Sequence, residues 1–250
     1  MRAAIRHWAG RARRLRAPAV TLALTACIAL AGCAPGPRPT RPIATLVAPA
    51  PPAGASYRVV PARSELRILA FRDGPLAQLG HNHVLVSREL GGELSMPAAP
   101  EQLRFELSLP VATLAVDEPA ARLEAGAEFA SEPTAADVAG TRRNLLGPAV
   151  LDSGHYPLLR VVGLGAAREP GSERRAGRYR VRLRVELRGR ATELEVPVTV
   201  AIADDLLEAS GEFRVSQSLL GLTPFSVALG ALRVADELSV RVRLVARREP

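Results

Sequence analysis

Two histidines separated by one residue are the side chains whose type and spacing point most directly to chemistry. His81 and His83 stand two apart, so on an extended chain both rings project from the same face. Imidazoles placed in this way can form half of a metal site, and His155 can supply a third ligand. Oxygen ligands can come from Glu89 or Asp152. The sequence therefore predicts a candidate metal site at His81, His83 and His155.

A tight turn is the alternative interpretation of the histidine pair. Gly80 precedes the pair and an asparagine divides it, and both residue types favour turns in which polar rings bond nearby backbone. A metal-dependent hydrolase needs further His and Asp ligands, and a serine hydrolase needs a Gly-x-Ser-x-Gly elbow. The sequence contains neither set. We therefore expect no enzymatic activity and no certain cofactor, with a metal-binding or metal-dependent function of His81 and His83 kept as an alternative.

The start of the chain has the features of an export signal. Six arginines without an acidic residue precede an apolar run over 17–30, which is typical of a secretory signal peptide. The run ends in Leu-Ala-Gly followed by Cys33, and this tetrapeptide resembles the lipobox of bacterial lipoproteins. The resemblance implies cleavage before Cys33 and lipidation of its thiol, which anchors a protein stably in a membrane. Since Ala34 rather than Asp follows, it also implies the outer membrane, facing the periplasm.

Composition excludes some partner classes once residues 1–33 are set aside. The whole chain has a net charge of +8, but without the leader 27 basic residues face 25 acidic ones. No basic block with interleaved aromatic residues occurs, so we expect no nucleic-acid binding. Seven prolines fall within 34–55, which predicts a disordered linker. The remaining 56–248 is long enough for one folded domain without disulfides.

Alternating apolar residues dominate that domain. Every second residue from Tyr179 to Leu187 is apolar, while those between them, from Arg178 to Glu186, are charged. This is typical of a half-buried strand. After a turn at 188–191 the alternation resumes from Leu194 to Ile202, which predicts a hairpin with Glu193 and Glu195 near the arginines. Similar runs elsewhere predict many antiparallel strands.

One segment departs from the alternation. Residues 117–146 are rich in Ala and Glu, with Leu123, Ala127 and Ala130 at helical spacing and Pro133 dividing the segment. This predicts two short helical pieces. The fold class is therefore mainly β, an antiparallel barrel or sandwich whose helical insertion caps one end.

The order of short motifs over 57–246 resembles the YceI-like family. The motifs are YRVVPARS at 57–64, LAVD at 114–117, RNLL at 143–146, VLD at 150–152, YP at 156–157, LRGRAT at 187–192 and SLLGL at 218–222. The resemblance implies a lipocalin-like antiparallel β-barrel of about eight strands. It also implies that a tunnel holds a long isoprenoid, such as a quinone or polyprenyl lipid, in periplasmic proteins. The chain departs from the commoner family pattern at 79–84, LGHNHV, as a subset of the family does.

Barrel alternation and this resemblance together predict the ligand-lining residues. An eight-stranded barrel has room for side chains or for one small ligand. The predicted lining residues are Ile68, Leu107, Leu109, Val181, Leu183, Val185, Val198, Val200, Phe213, Val240 and Val242. The function expected is that of a lipid-anchored envelope protein that binds or carries an apolar isoprenoid. A scaffold that binds another protein through the barrel rim is a further alternative, and the sequence predicts no oligomeric state.

Overall fold

The computed structural model of the chain describes residues 54–171 and 176–250. The predicted signal peptide, Cys33 and nearly all of the predicted linker lie outside the described residues. The first strand begins at Gly54 and the last strand ends at Arg248, while the domain bounds 56–248 stay a prediction.

Twelve strands and two α-helices make up the described part of the chain. In chain order they are β1 (Gly54–Val59), β2 (Glu65–Asp73), β3 (His83–Ser87), β4 (Gly91–Pro97), β5 (Arg104–Pro110), β6 (Ala115–Val116), α1 (Pro119–Ala125), α2 (Ala135–Leu146), β7 (Leu158–Arg168), β8 (Ala176–Leu187), β9 (Arg190–Ala203), β10 (Leu206–Ser216), β11 (Ser226–Val227) and β12 (Leu232–Arg248). The described helices are short, and none of them is long and apolar enough to cross a membrane.

Eight strands close into a barrel in the order β1-β4-β5-β7-β8-β9-β10-β12, with β12 returning to β1. All pairings are antiparallel. On one side β12 pairs with β10, and on the other it pairs with β2 over 233–243 and with β1 over 246–248. Beyond this ring the sheet continues through β2, β3 and β6, because β3 pairs with β2 and β6 pairs with β3. The prediction of an antiparallel barrel of about eight strands is confirmed.

The predicted hairpin is the one between β8 and β9. Its loop is two residues long, and both Arg188 (φ 52°) and Gly189 (φ 71°) have positive φ, as the tightest hairpin turns require. Across the pair Arg184 faces Glu193, and Arg182 faces Glu195, so the charged residues fall on the outer face as predicted. Since these pairs are largely exposed, the apolar inner face dominates the stability of the hairpin.

The helical insertion forms as predicted, but its buried face is a different one. Leu123 is 84% exposed, whereas Ala121 and Phe129 are almost fully buried, and the Phe129 ring lies 5.5 Å from that of Phe71. The cause is Gly126, which ends α1 with a φ of 101°, so that one helical period does not run through 123–130. The helical spacing of Leu123, Ala127 and Ala130 therefore does not correspond to one continuous helix.

Candidate functional site

The barrel encloses a cavity of about 400 Å³. Its wall is apolar apart from four residues: His83, Thr141, Asn144 and Gln217. A cavity of this size falls within the range of small-molecule sites in proteins, roughly 300–1,000 Å³. The interior is therefore not filled by the barrel's own side chains, and an apolar ligand is the kind that fits the wall.

All eleven residues predicted to line a ligand lie on the wall of this cavity: Ile68, Leu107, Leu109, Val181, Leu183, Val185, Val198, Val200, Phe213, Val240 and Val242. They come together from six strands because alternate residues of each strand point into the barrel. Contact of these residues with a ligand stays a prediction.

Helix α2 stands at an opening of the cavity. Asn144 is the one wall residue within the described chain that is also exposed to solvent, and Thr141 and Leu145 of the same helix share the wall with it. The helix is held in place by Arg142, which donates hydrogen bonds to the carbonyl oxygens of Ala112 and Leu114. Helix α2 therefore takes part both in the cavity wall and in the protein surface.

His83, the first residue of β3, lies on the wall of the cavity, and His81 lies two residues before it. Their ring centroids are 4.6 Å apart in an edge-on arrangement. The residue between them is tied down on both sides: Asn82 accepts a hydrogen bond from the Arg72 N–H (3.0 Å) and donates one to the Glu128 carbonyl oxygen (2.9 Å). This part of the chain is consequently a fixed platform for the two rings.

A buried carboxylate completes the cluster. Asp117 Oδ2 lies 2.7 Å from His83 Nδ1, while Oδ1 accepts hydrogen bonds from the Val84 N–H (2.9 Å) and from Arg122 Nη1 (2.6 Å). Burial alone opposes the charged form, but the hydrogen bonds from His83 and from the Val84 N–H outweigh it. The pKa of Asp117 therefore lies below its ordinary value, and the carboxylate is ionised at neutral pH.

Arg122 fixes this carboxylate to its surroundings. Besides Asp117, it donates to the carbonyl oxygens of Asn82 (2.7 Å) and Ser131 (3.0 Å) and to the Ser131 hydroxyl (2.8 Å). Its side chain is only 5% exposed. An ion pair buried to this degree is stable only when its remaining hydrogen-bonding groups are satisfied, as they are here.

His81 differs from its neighbours in the cluster because one of its nitrogens has no partner. Its Nε2 is buried and makes no hydrogen bond. Burial, followed by the nearby His83, lowers the pKa of His81 below its ordinary value. At neutral pH this ring is uncharged, which is the form that binds metal ions.

His155 does not belong to this cluster, so the described structure does not bring the three predicted histidines together. The His155 ring is 80% exposed and lies 2.9 Å from Asp152, three residues earlier, an arrangement that raises the pKa of His155. The donor group that the described chain brings together is His81, His83 and Asp117, with ligand atoms within 4.8 Å of one another. Neither Glu89 nor Asp152 is a member of it.

The carboxylate could not be found from the sequence because its position depends on a long-range strand pairing. Asp117 follows β6, which is only two residues long, and β6 pairs with β3 through Leu85 and Val116. The one local signal was the acidic residue at the end of the LAVD motif. Nothing in that motif indicates which strand it joins.

Comparisons with known proteins by sequence find no match, neither to a protein-family model nor to a curated protein. Solved structures do match. BcnA of Burkholderia cenocepacia superposes with a TM-score of 0.52 at 17% identity, over 75% of this chain and 98% of BcnA. A polyisoprenoid binding domain from Saccharophagus degradans, implicated in plant cell wall breakdown, superposes with a TM-score of 0.52 at 11% identity, over 78% of this chain and 99% of that domain. The chain has the β-barrel fold that these two proteins share.

Proposed function

We propose that this protein binds an apolar, isoprenoid-type lipid in the barrel cavity and is a carrier rather than an enzyme. The observation that carries the proposal is the cavity itself, whose wall is made almost entirely of aliphatic and aromatic side chains. A wall of this kind offers shape and apolar contact but few hydrogen bonds, so it selects a long hydrocarbon rather than a polar metabolite.

Energetics favour exchange with a membrane over capture from water. Burying each CH₂ group from water is worth about 0.8 kcal/mol, so a long isoprenoid strongly prefers the cavity to solvent. In a bilayer the same groups are already out of water, and the net gain on entering the protein falls near zero. Binding then depends on how well the chain fits the cavity, as a carrier that takes up and releases its cargo requires.

Two independent similarities support the ligand class. The Saccharophagus degradans domain with this fold is described as polyisoprenoid binding, and the motif order over 57–246 resembles the YceI-like family, in which isoprenoids are the implied ligands. We propose that the chain is a member of that family. Whether the cargo is a quinone or a polyprenyl lipid is decided by the extraction experiment below.

We also propose that the domain is attached to a bacterial membrane through Cys33, on the periplasmic face of the outer membrane. The support is the basic leader, the apolar run and the lipobox-like ending. Wild-type protein should partition into detergent and carry acyl chains on its N-terminal residue by mass spectrometry. Cys33→Ser should abolish both properties, and acylation that survives this substitution would contradict the proposal.

The lipid proposal is tested by organic extraction of the purified full-length protein followed by mass spectrometry. We expect an isoprenoid in near-stoichiometric amount. Leu183→Trp should lower the lipid content because Leu183 points into the cavity, and Arg182→Trp, the neighbour on the outer face of the same strand, should leave it unchanged. An extract without apolar ligand rejects the carrier function and leaves the scaffold alternative. Equal loss in both variants contradicts the role of the cavity.

A further inference from the structure

We propose that His81, His83 and Asp117 form a binding site for one divalent transition-metal ion at the wall of the cavity. The site goes beyond the proposed lipid binding and does not depend on it. Two imidazoles and one carboxylate are a common donor set for zinc and for iron in proteins. Here they are contributed by the segment before β3, by β3 itself and by the residue after β6.

The donors are already close to a coordinating arrangement. Their ligand atoms lie within 4.8 Å of one another, and zinc binds nitrogen and oxygen donors at about 2.0–2.2 Å. Only small side-chain rotations are therefore needed to bring all three atoms onto one ion. Of the three ligands, His83 also lies on the cavity wall, so the site adjoins the cavity.

The unpartnered nitrogen of His81 is the observation that favours a bound ion over a simple structural cluster. A buried polar atom without a hydrogen bond is rare in folded proteins and destabilises them. Among the described residues of the cluster, His81 Nε2 is the buried side-chain atom that has no hydrogen-bond partner. A metal ion on Nε2 removes this deficit without changing any other contact of the ring.

The surroundings orient the carboxylate so that one oxygen remains for the ion. Asp117 Oδ1 is occupied by the Val84 N–H and by Arg122, which leaves Oδ2 turned toward the imidazoles. In the metal-bound state the ion replaces the proton between His83 Nδ1 and Asp117 Oδ2. With the ion on Nδ1, binding requires the His83 tautomer that has its proton on Nε2. Arg122 and Val84 act as the supporting shell that fixes ligand orientation at such sites.

Charge and rigidity agree with this assignment. Arg122 already neutralises part of the Asp117 charge, and Asp137 at the start of α2 adds a negative potential at His81. The platform at Asn82 holds both rings in place before any ion binds.

The test uses purified full-length protein that has been stripped with a chelator and titrated with Zn²⁺ in a calorimeter, with metal content checked by elemental analysis after dialysis. We expect one equivalent in wild type. His81→Ala should weaken the affinity at least tenfold while the protein stays folded by circular dichroism, because His81 Nε2 makes no hydrogen bond that the fold would lose. His155→Ala is the matched control, since His155 is exposed and outside the cluster, and it should bind like wild type.

Two further readouts define the outcome. Nitrogen NMR should show Zn²⁺ on Nδ1 of His83, and coordination through Nε2 alone would overturn the assignment of Asp117 as a ligand. Absence of stoichiometric Zn²⁺ in wild type, or equal weakening by His81→Ala and His155→Ala, would overturn the site as a whole. Repeating the titration on protein extracted free of lipid separates this result from the lipid proposal, because the metal ligands belong to the protein alone.

Discussion

Removing Arg122 tests the idea that one buried ion pair holds the helical insertion against the barrel. Arg122 of α1 bonds Asp117 and the carbonyl oxygens of Asn82 and Ser131. The side chains of Arg122 and Asp117 are 5% and 0% exposed. In Arg122→Met the carboxylate keeps its burial and loses its cation, and three carbonyl or carboxylate oxygens lose a donor.

The size of the effect follows from this burial. Removing one partner of a buried ion pair costs about 3–5 kcal/mol, because the other charge is left uncompensated. For a domain of 150–250 residues each kcal/mol lowers Tm by about 2–4 °C. We therefore expect Tm to fall by about 6–20 °C at neutral pH, measured by circular dichroism.

Arg67→Met is the control, because Arg67 is also largely buried (11%) but its partners Glu65 and Glu124 are 27% and 63% exposed. Water can solvate these carboxylates when the arginine is gone, so the fall in Tm should be less than half that of Arg122→Met. Equal falls, or a fall below about 3 °C in Arg122→Met, would refute the reasoning.

The Tm difference between wild type and Arg122→Met should also become smaller as the pH falls. The folded-state pKa of Asp117 is lowered, so its ionised form contributes stability above its ordinary pKa near 3.9, and this contribution is lost as the pH falls through the lower folded value. The Tm gap between wild type and Arg122→Met should therefore narrow below about pH 4. A gap that widens in acid would contradict the role of the ionised carboxylate.

Three further predictions concern glycines and histidines. A Cβ at Gly163 would overlap the Phe105 ring, so Gly163→Ala should push that ring into the cavity, lower the lipid content and reduce the free energy of unfolding by about 1–3 kcal/mol. Gly91→Ala, where nothing lies within 4 Å of the added Cβ, should change neither the lipid content nor the stability. An unchanged lipid content in Gly163→Ala would contradict the crowding of Phe105. Gly189→Ala should lower the free energy of unfolding, measured in urea, by about 1–2 kcal/mol because the φ of Gly189 is +71°. An unchanged free energy of unfolding would exclude strain in this turn. In an NMR titration His155 should have a raised pKa that returns toward its ordinary value in Asp152→Asn, while the pKa of His81 lies lower; the reverse order would contradict both assignments.

The residues of the barrel wall could be predicted from local sequence patterns, whereas the histidine and aspartate cluster depends on contacts between distant parts of the chain. Leu183 and Val198 could be placed inside from the sequence because inward pointing depends only on alternation along one strand. Asp117 could not be placed, since its contact with His83 depends on the pairing of β6 with β3. The spacing of Leu123, Ala127 and Ala130 could not show that α1 ends at Gly126, between the first two of them. Strand faces are therefore easier to read from sequence than sites assembled from separate elements.

The double pairing of β12 has a consequence for how the chain reaches its native state. Until residues 232–248 have been synthesised, β10 on one side and β1 and β2 on the other lack their partner, and all three expose free strand edges, which promote aggregation. These contacts join the two ends of the domain, and contacts so distant in sequence slow folding. The newly made chain therefore remains vulnerable until β12 has been synthesised, and a truncation that removes β12 should yield insoluble material rather than a smaller folded domain.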